Sequence, residues 1–203
     1  MPGFFRMVRN AIQTHSPTHL IVTFDPPPPT FRHKLYPDYK ANRPPVPEGL
    51  LEDCKRVRER LESLDVVFCT VQGYEADDVL GTLSTRASVS GFQTMILTSD
   101  LDLLQLVSPI TEVEVFSQYW AKRSFDVEAA KRRFGGLAPE NIPDYKALAG
   151  DTSDNLPGVP GIGDVSATAV LGEYGNLDKV YEDLDAISEL PIRGARRVSR
   201  LLA

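Results

Sequence analysis

Three short apolar segments constrain the fold of this 203-residue chain more than any other feature, at residues 19–24, 66–71 and 93–98. Residues 19–24 are β-branched and nearly all apolar, which predicts a strand buried on both faces; 66–71 predicts a second buried strand and 93–98 a third strand. Helical apolar spacing precedes the first segment, over residues 4–14, and separates the segments, over 48–64 and 75–88. Because strands that alternate with helices usually pair in parallel, the pattern predicts an α/β fold with a mostly parallel sheet.

The second half of the sequence differs from the first. Residues 111–116 alternate like a half-exposed fourth strand, and after residue 126 no strand is evident. Helical patterns follow at 126–134, 139–149, 164–173 and 176–183. We therefore predict an α/β core over residues 1–120 and a helical subdomain over residues 121–203.

Composition excludes several classes of protein. The chain has two cysteines and no run of eighteen apolar residues, which argues against a disulfide scaffold and a membrane span and favours a cytoplasmic protein. The net charge of −6 argues against a polyanionic partner. Basic residues nevertheless cluster at 32–43, 55–60, 122–133 and 193–200. Such clusters are usually solvated helix faces, and they permit nucleic-acid binding without establishing it.

Acidic residues follow each of the first three predicted strands: Asp25, then Glu75, Asp77 and Asp78, then Asp100 and Asp102. The carboxyl ends of parallel strands share one edge, so these six side chains are predicted to converge there. The alternative is that each acid caps the helix that follows it. Crowded carboxylates need cations, and all-oxygen ligands favour Mg²⁺ or Mn²⁺. Two such ions would support phosphodiester hydrolysis, although phosphatases and some sugar-phosphate enzymes group acids in the same way.

The segment from residue 26 to residue 47 holds eight of the sixteen prolines, with aromatic and basic residues between them. Prolines interrupt regular structure, so we predict a long, irregular, basic arch.

Glycines and prolines at residues 157–163 interrupt two helical patterns, which predicts a tight helical hairpin. The sequence Gly161-Ile162-Gly163 leaves bare backbone N–H groups at the start of a helix, where phosphate can bind. An ordinary turn is the alternative. Asp151 and Asp154 lie just before the hairpin and add a seventh and an eighth carboxylate, for which capping is again the alternative.

Four stretches of the sequence carry a family resemblance: FDPPPPTFRHKLYPDYKANRPPVPEGL, GYEADDVLGTL, TSDLDLLQLVSP and GDTSDNLPGVPGIG. They resemble the 5′ nuclease, or flap endonuclease, family, which includes the amino-terminal domain of bacterial DNA polymerase I and stand-alone enzymes. The stretches YPDYKANRPP, NIPDYKALAG and VYEDLDAI look most like the stand-alone, exonuclease IX type.

The resemblance implies a PIN-like 5′ nuclease core with an arch at 26–47, and a helix-three-turn-helix module at about 139–173. It implies cleavage of branched or nicked DNA with a 5′ flap or end, by a nucleoid-associated enzyme that is monomeric when complete. By motif, it implies metal ligands at Asp25, Glu75, Asp77, Asp78, Asp100, Asp102, Asp151 and Asp154. The resemblance also implies that Asp77 and Asp78 are catalytic residues.

The same resemblance gives roles to residues in the arch and the hairpin. Lys40 would reach the scissile phosphate, Tyr39 would stack on a base, and Arg32 and Arg43 would contact phosphate. Gly161, Ile162 and Gly163 would contact duplex DNA. A potassium ion would be held by main-chain carbonyls of Leu148, Ala149, Pro157, Val159 and Ile162.

Two departures from the family pattern stand out. Leu101 occupies a position where polymerase-linked members often carry lysine. The family's first strand, which ends in an aspartate, precedes the helix with which this sequence opens, and we expect an upstream reading frame to encode it. Without that aspartate, a structure-specific DNA-binding protein that does not cleave is an alternative. A ribonuclease of the PIN type is less favoured, because its hairpin would have no duplex to grip.

Overall fold

The structure, a computed structural model, describes residues 2–116, 123–192 and 194–203. The chain forms two compact units, each of two segments: Met1–Leu35 with Arg43–Val79, and Tyr36–Asn42 with Leu80–Ala203. The domain boundary predicted at residue 120 falls outside the described residues and stays a prediction. Among the residues described, no helix has both the length and the apolar character needed to cross a membrane.

The first unit contains three complete helices and a pair of strands: α1 (Pro2–His15), β1 (Ile21–Thr23), α2 (Phe31–Leu35), α3 (Leu50–Glu62) and β2 (Val67–Cys69). The strands pair in parallel, with Ile21 opposite Val67 and Thr23 opposite Cys69. The predicted burial on both faces was wrong for the first pair, since Ile21 is 44% and Val67 61% exposed. Each strand has only three residues, so these side chains lie at its solvent-exposed start.

The predicted irregular arch contains the short helix α2. The Nδ1 atom of His33 accepts a hydrogen bond from Thr30 N–H at 3.2 Å, within the helix's first turn. Phe31 N–H donates to the Gly73 carbonyl at 2.8 Å, which ties the start of α2 to the same unit. This helix could not be predicted from the sequence because prolines lie on both sides of it. Pro37 limits its length to five residues.

Helix α4 (Ala76–Val89) leads from the first unit into the second. The next strands are β3 (Thr94–Thr98), β4 (Thr111–Val115) and β5 (Arg123–Phe125). Strand β4 pairs in parallel with β3 and antiparallel with β5. The predicted parallel pairing is thus confirmed for β1–β2 and β3–β4, but the described strands belong to two small sheets.

Strand β4 is the central strand of its sheet, and the prediction that it is half-exposed was wrong. Val113, Glu114 and Val115 are all buried, although glutamate alternates with valine in the sequence. Ser124 of β5 donates its hydroxyl to Oε2 of Glu114 at 3.4 Å. Val113 and Val115 pack in an apolar core, and Glu114 is buried with a hydrogen-bond partner on β5, a strand that was not predicted from the sequence.

The helical part of the second unit follows the predicted pattern. It contains α5 (Val127–Arg133), α6 (Ile142–Ala149), α7 (Asp164–Tyr174), α8 (Leu177–Glu182) and α9 (Ala195–Leu202). Short 3-10 helices lie at Leu101–Leu106, Pro139–Asn141 and Ala186–Glu189. Helix α9 and the 3-10 helices at 101–106 and 186–189 were not predicted.

Two apolar cores stabilise the second unit. One packs on the sheet and includes Ile96, Leu104 and Val113; the other lies among the helices and includes Leu148 and Val170. Phe134 packs against both cores, so the sheet and the helices of this unit are joined by continuous apolar contact.

Candidate metal and nucleic-acid sites

The acids of the first unit lie after β1 and at the start of α4. Oδ1 of Asp25 accepts a hydrogen bond from Ala76 N–H at 2.7 Å. Oδ2 of Asp78 accepts one from Glu75 N–H at 2.8 Å. Both amides belong to the start of the helix, where N–H groups lack helical partners. Asp25 and Asp78 therefore do act as helix caps, and the first bond holds Asp25 beside α4. Asp77 lies in the same turn and is half-buried.

A guanidinium group neutralises one of these acids. Arg32 of α2 donates from Nη1 and Nη2 to the two carboxylate oxygens of Asp78, at 2.7 and 2.8 Å. Paired, parallel hydrogen bonds of this kind are the strongest geometry for an arginine and a carboxylate. The guanidinium also lies 4.6 Å from the centre of the Phe31 ring. Arg32, predicted as a phosphate contact, thus binds Asp78 in this structure, while Arg43 is exposed.

The second unit brings together three predicted ligands. Oxygen atoms of Asp102, Asp151 and Asp154 all lie within 4.8 Å of one another. Asp102 belongs to the 3-10 helix after β3, and the other two come from the loop after α6. Asp100 instead caps its own turn, since its Oδ1 accepts from Asp102 N–H at 2.9 Å. The spacing of the three carboxylates suits a shared hard cation.

The loop that carries Asp151 is closed by its own hydrogen bonds. Oδ1 of Asp151 accepts from the amide and the hydroxyl of Ser153, at 2.8 and 2.7 Å. Asp151 and Leu156 also exchange both backbone hydrogen bonds, at 2.8 and 2.7 Å. These contacts fix the carboxylate, so the position of Asp151 does not depend on a bound ion.

Lys146 provides a positive charge within the acidic group. Its Nζ contacts Oδ1 of Asp102 and lies 2.5 Å from Oδ2 of Asp151. Burial raises the pKa of Asp151, but the hydrogen bonds from Lys146 and Ser153 outweigh it and lower the pKa to about 2. Burial also raises the pKa of Asp102, and the charges of Asp100 and Asp151 add to this effect. Lys146 therefore already compensates part of the carboxylate charge.

Lys146 was not predicted from the sequence. Its only signal is its position in the last turn of α6, five residues before Asp151. Burial lowers the pKa of Lys146, but its bonds to Asp102 and Asp151 exceed that effect and raise the pKa above its ordinary value. The residue is thus a fixed cation at any physiological pH.

Residues 36–42 of the arch belong to the second unit and contact the 151–155 loop. Lys40 N–H donates to the Asp154 carbonyl at 3.0 Å, and Asn42 Nδ2 donates to the Thr152 carbonyl at 2.6 Å. Asn155 Nδ2 donates to the Asp38 carbonyl at 2.8 Å. Asn42 and Asn155 were not predicted, because amides that bond to distant carbonyls leave no local sequence signal.

Two side chains of this segment reach Asp154. Tyr39 donates its hydroxyl to Oδ2 at 3.1 Å, and Lys40 Nζ lies 3.8 Å from Oδ1. The same ammonium lies 4.8 Å from the centre of the Tyr39 ring. Tyr39 is only 5% exposed, so its ring must leave this position before it can stack on a base. Its role in stacking, like that of Lys40 at phosphate, stays a prediction.

The hairpin between α6 and α7 requires glycine at its tightest point. A Cβ atom on Gly158 would lie 2.3 Å from the backbone nitrogen of Gly150. Val159 N–H donates to the Leu148 carbonyl and Ile162 N–H to the Val159 carbonyl, both at 2.9 Å. The turn is thus closed by backbone contacts around the five carbonyls predicted to hold potassium, a role that stays a prediction.

The start of α7 has ordinary backbone geometry and open space. Gly163 precedes the helix with φ −114° and no side-chain cap, and a Cβ there would meet no atom within 4 Å. Gly161 has φ +92°, a region that favours glycine. The predicted phosphate contact at Gly161, Ile162 and Gly163 therefore has accessible backbone at Gly163.

Two known families match consecutive parts of the chain. Residues 1–135 match the family described as 5′-3′ exonuclease, N-terminal resolvase-like domain, and residues 137–200 match 5′-3′ exonuclease, C-terminal SAM fold. The fold is therefore that of an α/β resolvase-like domain followed by a helical SAM fold. The chain belongs to the 5′-3′ exonuclease family.

The chain is similar to two curated polymerases. It is 40% identical over 187 residues to DNA polymerase I of Chloroflexus aurantiacus, covering 91% of this chain and 20% of the relative. It is 36% identical over 202 residues to DNA polymerase I of Bacillus caldotenax, covering 99% of this chain and 23% of the relative. The chain thus spans about a fifth of the length of these relatives. The resemblance to stand-alone enzymes stays a prediction.

A solved structure shows the same fold at lower identity. The D15 flap endonuclease of bacteriophage T5, described in a complex with DNA and metal ions, is 21% identical with a TM-score of 0.73. The match covers 99% of this chain and 77% of that one. The predicted fold class is confirmed.

Proposed function

We propose that this chain is a structure-specific 5′ nuclease that hydrolyses phosphodiester bonds in DNA with the help of divalent metal ions. The observation that carries the proposal is the group of Asp102, Asp151 and Asp154, whose oxygen atoms lie within 4.8 Å of one another. The T5 flap endonuclease that shares the fold has been solved with DNA and metal ions, which supports this assignment.

The donor set fits a hard divalent ion. All three groups are carboxylates, the ligands that Mg²⁺ and Mn²⁺ prefer over zinc-type nitrogen and sulfur donors. The ammonium of Lys146 contacts Asp102 and Asp151, so a divalent ion would share these two carboxylates with it. When bound, such ions activate water and stabilise the leaving oxygen. We also propose metal-binding roles for Asp25, Glu75, Asp77 and Asp78 of the first unit and for Asp100 of the second.

The chain's own residues would position the substrate. We assign Lys40 to the scissile phosphate, because its ammonium already lies 3.8 Å from Oδ1 of Asp154. A cation there stabilises the charge that develops as the phosphodiester reacts. Tyr39 and Arg43 would contact the unpaired strand. Arg32 would contact phosphate by exchanging the Asp78 carboxylate for another oxyanion of the same geometry.

The helical hairpin would hold the duplex. The backbone at Gly161, Ile162 and Gly163 would contact phosphate, with the accessible amide at Gly163, and K⁺ on the carbonyls of 148, 149, 157, 159 and 162 would stabilise the turn. The expected substrate is therefore DNA in which a duplex adjoins a 5′ flap or end.

Cleavage of a labelled 5′-flap DNA in Mg²⁺ or Mn²⁺ tests the proposal. We expect the wild-type protein to cleave, and Asp154→Asn to lose at least about 100-fold in rate through weaker metal binding. Both should bind the flap in Ca²⁺, and the exposed variant Glu140→Gln should cleave as the wild type does. Binding without cleavage by the wild type would instead identify a non-cleaving DNA-binding protein. Cleavage by Asp154→Asn at the wild-type rate would show that the group of Asp102, Asp151 and Asp154 is not the metal site.

A further inference from the structure

The last helix carries a basic surface that the proposed function does not use. Helix α9 buries Ala195, Val198 and Leu202, and it exposes three arginines on the other side: Arg196, Arg197 and Arg200. The helix contains no acidic residue. Among the residues that the structure describes, no carboxylate pairs with Arg197.

Helix α9 packs directly on the glycine hairpin. Val198 and Leu202 belong to the same apolar core as Ile162 of the hairpin. A Cβ atom placed on Gly161 would lie 2.8 Å from Nη2 of Arg197 and 3.1 Å from Cδ1 of Leu201. The guanidinium group of Arg197 therefore lies against the hairpin backbone, on the surface of the protein.

The hairpin has no cation of its own. Between Lys146 and Lys179 the sequence contains no lysine or arginine, but it contains five acidic residues: Asp151, Asp154, Asp164, Glu173 and Asp178. The first turn of α7 carries Asp164 and no basic residue. Backbone N–H groups alone would have to attract a polyanion against this negative charge, so a nearby cation has a specific use.

We propose that Arg197 is a phosphate-binding residue, and that α9 is part of the surface that holds duplex DNA. This inference rests on the proposed function and extends it. The planar guanidinium can donate two hydrogen bonds to one phosphate, next to the phosphate that the hairpin backbone binds. Arg196 and Arg200 add charge along the same helix at a greater distance from Gly161.

Duplex affinity measured against salt concentration tests the assignment, in Ca²⁺ with a flap DNA. We expect Arg197→Ala to weaken binding about tenfold and to reduce the slope of log K against log salt by about one, as for one lost phosphate contact. Arg197→Lys keeps the charge without the paired hydrogen bonds. Its affinity for DNA should lie between that of the wild type and that of Arg197→Ala. Arg132→Ala removes one exposed arginine from α5 and is the matched control, with affinity close to the wild type.

The outcomes separate this inference from the proposed function. If the wild type binds DNA and Arg197→Ala equals Arg132→Ala in both affinity and salt slope, the assignment of Arg197 is wrong and the proposed function stands. If the wild type does not bind DNA, both fail. A circular-dichroism melting curve for each variant confirms folding, and Arg197→Gln replaces any alanine variant that unfolds.

Discussion

The Nζ atom of Lys146 lies 2.5 Å from Oδ2 of Asp151 and also contacts Oδ1 of Asp102. Oδ1 of Asp151 is separately bound by Ser153. One oxygen of Asp151 thus anchors the 151–155 loop. The charge on the other oxygen is neutralised by the ammonium of Lys146.

Removal of Lys146 should make the protein depend on divalent ions for stability. In Lys146→Met, Asp102 and Asp151 face each other without the ammonium, and we expect the free energy of unfolding in chelator to fall by about 1–3 kcal/mol. Added Mg²⁺ should then raise the melting temperature of the variant more than that of the wild type. Lys131→Met, which breaks an exposed pair with Glu128, is the control and should cost below about 0.5 kcal/mol. Equal Mg²⁺ responses would contradict the prediction.

Acid should remove the contribution of Asp151. Its pKa is about 2 in the folded protein, against an ordinary value of 3.8. Between these values the unfolded state binds more protons, so the stabilisation is complete above about pH 4 and is lost as the pH falls toward 2. The stability difference between wild type and Asp151→Asn, measured by urea unfolding without metal, should therefore shrink by about 1–2 kcal/mol from pH 6 to pH 2. A difference that stays constant from pH 6 to pH 2 would argue against the shift.

Lys40 should affect the chemical step more than binding. We expect Lys40→Ala to slow single-turnover cleavage by about 100-fold or more, because a cation at the reacting phosphate stabilises charge that grows in the transition state. Lys34→Ala removes an exposed lysine of the same arch and should leave that rate nearly unchanged. If Lys40→Ala weakens DNA binding strongly and keeps the single-turnover rate, Lys40 is only a phosphate contact.

The hairpin contact can be tested at Gly163 without straining the backbone. Gly163→Asp adds a repelling charge at the start of α7, so duplex affinity should fall about tenfold or more. Gly163→Ala should fold and bind nearly normally, because the position has open space and φ −114°. Gly161→Asp is less informative, since φ +92° and the contact with Arg197 add strain and a new ion pair. Normal duplex binding by Gly163→Asp would show that the turn is structural only.

The first three strands could be predicted because they depend on local signals. β-branched runs marked β1, β2 and β3, and a carboxylate after each run marked Asp25, Glu75 and Asp100. The bond from Tyr39 to Asp154 joins residues 115 positions apart, so no window of sequence contains it. It requires the folded loop at 151–155, which places Asp154 beside the arch.

The surroundings of Glu114 and Lys146 could not be predicted from the sequence either. From the sequence, Glu114 is expected to face solvent on an alternating strand, yet it is 1% exposed and its Oε2 accepts a hydrogen bond from Ser124 of β5. From the sequence, Lys146 is expected to be a surface lysine in the last turn of a short helix. Only the position of Asp102, on another element, gives it a second partner.

The chain passes between its two units three times, after residues 35, 42 and 79. A gene that encodes such a protein cannot exchange either unit intact with a related gene by one recombination crossover. Each unit is also interrupted in the order of synthesis, so a ribosome releases residues 36–42 long before the loop to which they bond has been translated. Recombination and translation therefore both keep the two units together.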